Sequence, residues 1–359
     1  MLIFRYLAKE VLSTLVALTV ILLLIFMCNQ FIIYLNRAAN GQIPAVLLLK
    51  LMMLELPTML GLLLPLGFYV ALLVAYGRLY AESEMTVLRA CGYGPWQLMK
   101  HTLTISSFVA LLVLVIMLWA SPLVAIERAK LLRATGIQTM IQLIVPGRFH
   151  AASGGHVVYF VGSMNRAHTR ASHVFLARLV PKQGQEQWQV MSADSAYAET
   201  DPETNEDFLV LKDGKAYEGQ PGRADYQVAE FEQYQARLPH PSLEIVGDIR
   251  THSTSSLWSI KTPNLNQAAE LQWRFSIPLM VLVLSLAAVP LSRVNPRAGK
   301  YAKLLPALIF FMIYANFMFV ARGWFVSGKS PMVFGIWWIH GVAALVGLWL
   351  IWRNHVKLS

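Results

Sequence analysis

Six stretches of this chain contain no Asp, Glu, Lys or Arg: Val11 to Asn36, Leu56 to Gly77, Thr102 to Ile126, Phe275 to Ser292, Leu304 to Ala321 and Ser330 to Trp352. About 20 apolar residues carry a helix across the hydrocarbon core, so each run is long enough to span a membrane. Lipid offers no partner to an open strand edge, and the runs lack the period-2 alternation of a barrel, so the spans must be helices. Composition agrees: 56% of the 359 residues are hydrophobic and 14% charged, against roughly 25% charged in a soluble domain. The expected fold is a polytopic α-helical membrane protein with six transmembrane helices. The first run, behind Arg5 and Lys9, resembles a secretory signal, but its apolar core exceeds the usual length of about 7–15 residues and no small-x-small cleavage site follows. It is read as the first helix. The second run contains Pro57 and Pro65, tolerated where neighbouring helices satisfy the freed carbonyls, and is expected inside the bundle.

Short cytoplasmic loops retain positive charge. With the N-terminus inside, the inner ends hold Arg5, Lys9, Arg78, Arg89, Lys100, Arg293, Arg297, Lys300, Lys303, Arg353 and Lys357; the outer ends hold only Arg37, Lys50, Arg274, Arg322 and Lys329. Both termini are therefore expected in the cytoplasm and the segment between the third and fourth helices outside. The net charge of +10 comes from these inner ends, so it reports membrane topology and not a nucleic-acid footprint. Three parts follow: 1–126 with helices one to three, 127–270 as an outside domain, and 271–359 with helices four to six. Cys28 lies in the first helix and Cys91 in a cytoplasmic loop, so neither braces the outside domain, and no Cys/His spacing suggests a metal.

The insert reads as all-β. Its apolar runs are short and rich in β-branched and aromatic residues: His156 to Val161, Val174 to Leu176, Trp188 to Met191 and Phe208 to Leu211. Turn signals separate them at Ser153-Gly154-Gly155, Pro181 to Gly184, Asp201 to Asn205, Asp213-Gly214 and Pro221-Gly222. Such a rhythm fits a β-sandwich, jelly roll or barrel.

Four acidic residues lie outside the insert, Glu10, Glu55, Glu82 and Glu84, and two of them fall in one cytoplasmic loop. Leu79 to Cys91 reads as a helix ended by Gly92-Tyr93-Gly94-Pro95. The plain reading is a solvated helix with Glu82 and Glu84 paired to Arg78 or Arg89; the sharper one is a docking helix for a basic groove. Gly323 to Ser330 matches the phosphate-loop pattern letter for letter, yet it follows a membrane helix, precedes Pro331 and carries Trp324 and Phe325 in its interior, so it is expected to be a tight turn. The histidines are scattered, and no nucleophile, base and orienting acid converge in sequence. The outer-end cations either reach phospholipid headgroups or line a cavity that grips a large anionic lipid, with Arg37 and Arg322, and next Lys50, the better candidates.

The whole arrangement resembles the LptF/LptG permease family. The resemblance rests on Arg5-Tyr6-Leu7, Gly41-Gln42-Ile43-Pro44, Leu79 to Glu84 with Ala90-Cys91-Gly92, and Val289 to Arg297, and the second and last of these lean toward the LptF side over the LptG side. It implies a bacterial inner-membrane permease subunit without enzymatic activity or cofactor, part of an ABC transporter that extracts lipopolysaccharide. It further implies a heterodimer with an LptG-like permease, a cytoplasmic LptB-like ATPase dimer, and an LptC-like bitopic protein. The coupling helix near 79–94 would meet the ATPase through Glu82, Glu84, Leu88 and Arg89. Helices one and five would form lateral gates, and the outside domain, periplasmic and jelly-roll-like, would pass the lipid onward. A membrane-anchored sensor would need a cytoplasmic output domain, and a lipid-modifying enzyme would need polar groups at the membrane face; the sequence supplies neither.

Overall fold

The computed structural model describes residues 2–39, 43–133, 146–152, 157–165, 170–182, 185–200, 207–219, 226–237, 249–259, 264–294, 303–330 and 334–356. The chain divides into two compact units, one made of Met1–Phe31, Leu51–Arg128 and Ile249–Ser359, the other of Ile32–Lys50 and Ala129–Asp248.

The first unit is helical. Its helices are α1 (Leu2–Ala39), α2 (Leu48–Ala81), the short α3 (Glu84–Ala90), α4 (Pro95–Val115), α5 (Ser121–Arg133), the short α6 (Thr254–Ser259), α7 (Leu265–Leu291), α8 (Leu304–Val326) and α9 (Trp337–Val356). A five-residue π turn, Ile116–Ala120, joins α4 to α5 without interrupting the helical run. Among the described residues five helical segments are long and apolar enough to cross a membrane: Leu2–Ala39, Ala45–Ala81, Pro95–Leu132, Leu265–Leu291 and Leu304–Val326. The 20-residue α9 occupies the sixth predicted run. At 1.5 Å per residue, the 38 residues of α1 extend for about 57 Å, well past a hydrocarbon core of about 30 Å. Its ends therefore reach beyond the predicted run and carry polar groups.

The buried centre is α7, which packs on α4, α8 and α9. Ile277, Val281, Leu284 and Ala288 recur along it at three- and four-residue spacing, one stripe of the core, as the helical period requires. The expectation that the second helix lies inside is met: α2 is continuous across Pro57 and Pro65 and buries Phe68, Leu72, Tyr76 and Leu79. By contrast α1 and α8 leave most of their apolar surface uncovered. Leu7, Val11 and Leu15 form the stripe by which α1 joins the core.

The second unit holds a six-stranded antiparallel sheet with strands β1 (Phe149–Ala152), β2 (Val157–Met164), β3 (Arg170–Lys182), β4 (Gln185–Thr200), β5 (Asp207–Gly219) and β6 (Gln227–Arg237), each beside its neighbour in sequence. The sheet within the insert is β as expected, but the expected bounds of 127–270 are too wide: α5 runs on to Arg133, and α6 and the first residues of α7, from Leu265, are helical. Among the described residues its strands run up and down in sequence order, without the crossovers of a jelly roll. The four predicted strands fall in β2 to β5; β1 and β6 were not anticipated, because β1 is short and β6 alternates with Glu and Gln. Turn signals at 153–155, 183–184, 201–205 and 221–222 lie outside the described residues.

Asp213-Gly214 is not a turn but part of β5. The reason is a crease that runs across the sheet. Val161, Val174, Ala193, Gly214 and Phe231 pair in one row, and Ser163, Ser172, Ser195, Lys212 and Gln233 in another. Between them Gly162, His173, Asp194, Asp213 and Glu232 are skipped in every register, and His173 and Asp213 sit at φ 54° and 52°. On one side of the crease the apolar cluster takes Val161, Val174, Met191, Ala193 and Ala216; on the other it takes Met164, Ala171, Ala196, Leu211 and Tyr234. In each strand those two sets differ in odd-even phase. A one-residue shift in one strand would turn its apolar residues to the opposite face; the same shift in five adjacent strands keeps the face continuous. The positive φ of Asp213 serves this phase change, which is why its dipeptide imitates a turn.

A Cβ at Gly214 would collide with the Ser192 carbonyl oxygen and lie 2.6 Å from Phe231 Cζ. Overpacking of this kind costs about 1–3 kcal/mol, so Gly214→Val should make the sheet markedly more susceptible to limited proteolysis while leaving the helical unit protected. Unchanged cleavage kinetics across 149–237 would contradict the crease geometry.

Candidate functional site

Two polar constructions stand at the ends of the helical unit. The first surrounds α3. The predicted helix over 79–91 is divided: α2 continues to Ala81, the chain turns through Ser83 at φ 60°, and α3 begins at Glu84. Its far end is closed by two reversed bonds, Gly92 N–H to Arg89 O at 2.9 Å and Tyr93 N–H to Leu88 O at 3.0 Å, with Gly92 at φ 87°. This is a Schellman ending, and the left-handed glycine makes it inexpensive. Met85 is buried and Leu88 packs against the core, so both fix the inward face. Glu82, Thr86 and Val87 are exposed.

Neither Glu82 nor Glu84 forms the expected ion pair with Arg78 or Arg89. Tyr6 Oη of α1 donates to Glu84 Oε2 at 2.6 Å. Arg78 instead donates to Glu10 Oε2 of α1 at 2.5 Å, and Arg89 donates to Tyr80 Oη at 3.0 Å. The N-terminal end of α1 is thereby tied to both α3 and α2. Tyr93, between α3 and α4, has its phenol pushed up to about 12 by burial and lies 2.6 Å from His101 Nδ1, a hydrogen bond from this turn to α4. Of the four residues singled out for docking, Glu82 faces outward, Glu84 is engaged with α1, Leu88 faces the core and Arg89 is held by Tyr80. Sequence reasoning missed Val87 and Tyr6. Val87 could have been found from the i, i+3 pairing of Met85 and Leu88, which leaves it outside; the partner of Tyr6 is 78 residues distant and left no local trace.

The second construction is built on Arg274, about 1% exposed. Its Nε donates to Glu270 Oε1 at 3.1 Å, Nη1 to Thr254 Oγ1 at 2.9 Å, and Nη2 to the carbonyls of Arg250 and His252 at 3.2 and 3.0 Å. Thr254 in turn donates to Leu118 O, inside the π turn, at 2.7 Å. The second oxygen of Glu270 accepts from Arg322 Nη2 at 2.7 Å, and the Arg322 guanidinium lies over Trp273 at 4.8 Å. This knot joins α7, α8, the π turn and the segment that leads into α6. Arg322 is therefore not a free cation. Arg37 and Lys50 are exposed and form no ion pair among the described residues. The sequence that imitates a phosphate loop is the end of α8: Gly328, at φ 72°, closes it with bonds from Gly328 N–H to Phe325 O and Lys329 N–H to Trp324 O. A helix C-terminus of this kind offers carbonyls and negative dipole, the opposite of a phosphate cradle.

Residues 5–353 match the family described as lipopolysaccharide export system permease LptF/LptG. The chain belongs to that family. It is similar to the lipopolysaccharide export system permease protein LptF of Escherichia coli (strain K12), Escherichia coli O157:H7 and Shigella flexneri, each 31% identical over 354 residues, which cover 97% of this chain and 95% of the relative. The match to the LptF/LptG family takes in both polar constructions and the creased sheet, so all three are features of a membrane permease.

In this permease Glu270 serves two guanidiniums. Removing one partner of a buried charge pair costs about 3–5 kcal/mol. Glu270→Leu leaves both arginines without their carboxylate and should lower the thermal unfolding midpoint far more than Arg322→Met, which leaves Glu270 bound to Arg274. Equal losses in a detergent-solubilised thermal melt would show that Glu270 is not the hub.

Proposed function

We propose that this chain is the LptF-type permease subunit of an ABC transporter that extracts lipopolysaccharide from the inner membrane. In this reading it has six spans and both termini in the cytoplasm. Its creased sheet lies in the periplasm and passes lipid onward. It pairs with an LptG-like permease, an LptB-like ATPase dimer supplies the ATP chemistry, and an LptC-like membrane helix joins the assembly. The observation that carries the reading is α3: a short helix set off by a left-handed turn, anchored by Met85 and Leu88, and bonded through Glu84 to Tyr6 of α1.

Such a helix converts a push into motion of α1. When the ATPase dimer closes, Glu82, Thr86 and Val87 receive the displacement, Met85 and Leu88 pass it to the bundle, and the Tyr6–Glu84 bond draws α1 with α3. The Glu10–Arg78 pair prevents α1 from sliding independently of α2. The uncovered apolar surfaces of α1 and α8 suit two walls that part and close against lipid. Arg37 and Lys50 remain as the cations available to lipopolysaccharide phosphates, by bonds that a phosphate makes well with guanidinium and ammonium donors.

A hydrogen bond to a charged group contributes about 1.5–3 kcal/mol. Glu84→Ala should therefore lower lipopolysaccharide release per ATP hydrolysed in the reconstituted transporter by roughly tenfold or more, with Tyr6→Phe shifting it in the same direction and less. Cys91, exposed beside α3, supplies a crosslinking position for the ATPase; full coupling in Glu84→Ala with an unaltered Cys91 crosslink would sink the assignment. Arg37→Glu with Lys50→Glu should reduce photocrosslinking of lipopolysaccharide to the assembled complex. Undiminished crosslinking would leave both residues as headgroup anchors.

A further inference from the structure

We propose that the cytoplasmic end of the helical unit holds a binding site for the phosphate headgroup of an anionic phospholipid, a site distinct from the path of the exported lipid. A cavity of about 50 Å³ is lined there by Arg89 of α3, Pro95, Trp96 and Met99 of α4, Arg293 just beyond α7, and Ile351 of α9. Two guanidiniums enter one small space, and its lining contains no carboxylate. Arg89 is oriented by its bond to Tyr80 Oη and by the Tyr80 ring, 5.5 Å from its guanidinium carbon. Arg293 is half-buried and makes no hydrogen bond or ion pair among the described residues. A partly desolvated guanidinium left in this condition calls for an anion.

The other walls say which anion. Pro95 opens the 21-residue α4, whose N-terminal dipole favours negative charge at the same end. Trp96, Met99 and Ile351 add apolar lining to the two arginines, the mixture that a headgroup with its acyl chains requires. Trp96 is 62% exposed, with Lys100 Nζ 5.7 Å from its ring; an uncovered tryptophan beside cations is the pattern of a membrane interface. Basic pockets between membrane helices on the cytoplasmic side bind anionic headgroups for these reasons. A phosphodiester offers both guanidiniums an oxygen, while the chains lie along α4 and α9. This inference rests on the topology proposed above, which places these residues at the cytoplasmic leaflet.

The full complex is reconstituted in nanodiscs of phosphatidylcholine alone or with phosphatidylglycerol and examined by native mass spectrometry. Phosphatidylglycerol should remain bound to the unmodified protein. Arg293→Gln should weaken that retention at least about tenfold, the loss expected for one charge-assisted bond, and Arg293→Lys should restore part of it. Because Arg293 has no internal partner to lose, the variant should unfold at the same temperature as the parent in phosphatidylcholine. Equal retention by Arg293→Gln overturns the proposal. So does inorganic phosphate that raises the unfolding temperature as much as phosphatidylglycerol, which would mark a free-phosphate site. Displacement of the lipid whenever the ATPase is bound also overturns it, since the occupant would then be an ATPase carboxylate. Lipopolysaccharide release, measured on the same preparations, keeps this outcome separate from that of the permease reading.

Discussion

A guanidinium withdrawn from water must find partners for the N–H groups it presents, and Arg274 finds four by gathering segments that the chain alone would leave apart. Glu270 is on its own helix, but Thr254 and the carbonyls of Arg250 and His252 belong to the segment before α6, and Thr254 reaches on to the π turn. A carboxylate shared with Arg322 adds α8. Fully paired, a buried group of this kind contributes little net stability against an apolar alternative, while a broken one is costly. Its value is therefore geometric: it fixes where α7, α8 and the π turn stand relative to each other. The interior of the bundle, built of nearly interchangeable Leu, Val and Ala contacts, cannot set register so firmly.

The opposite end is held by weaker and more exposed ties. Tyr6–Glu84 and Glu10–Arg78 lie where water competes, so each can be remade at modest cost. Between the two ends, polar side chains bond within the bundle: Tyr76 to Thr102 at 2.8 Å, Tyr69 to the Ala307 carbonyl at 3.1 Å, and Tyr314 to His340 at 2.5 Å. Such bonds resist sliding of one helix past another.

The helices were legible in the sequence because lipid enforces an unbroken apolar run, and Val11 to Asn36 or Leu304 to Ala321 could be little else. The ends of those helices were not, because outside the hydrocarbon a helix continues for reasons of packing; α1 runs from Leu2 to Ala39 to carry Tyr6 and Glu10 to their partners. Charge counting expected Arg274 and Arg322 at helix ends, but α7 begins at Leu265 and carries Arg274 well inside it; Glu270 was not revealed, since the reading had assigned that residue to the insert. Glu84 was correctly picked out as anomalous, and its nearest cations in sequence were the wrong partners. For the sheet, strong β-branched runs announced β2 to β5, whereas β6, with Glu230 and Glu232 at its edge, shows the polar alternation of an exposed strand.

The crease explains why a sheet of this size can present one apolar face without being flat. Five strands each displace one residue, and the skipped positions, His173, Asp194, Asp213 and Glu232 beside Gly162, are polar or small, as befits residues outside the alternation. Had only one strand carried the extra residue, a bulge would have bent that strand and left its neighbours in conflict of phase. Because the displacement is shared, the apolar residues from Val161 to Tyr234 form one cluster across the row. The edges are treated differently from the face: β1 is four residues long, and β6 alternates acidic side chains, with Glu230 paired to Lys215 at 2.6 Å. Charged and short edges discourage indiscriminate strand pairing, so the polar backbone edges of the sheet stay selective.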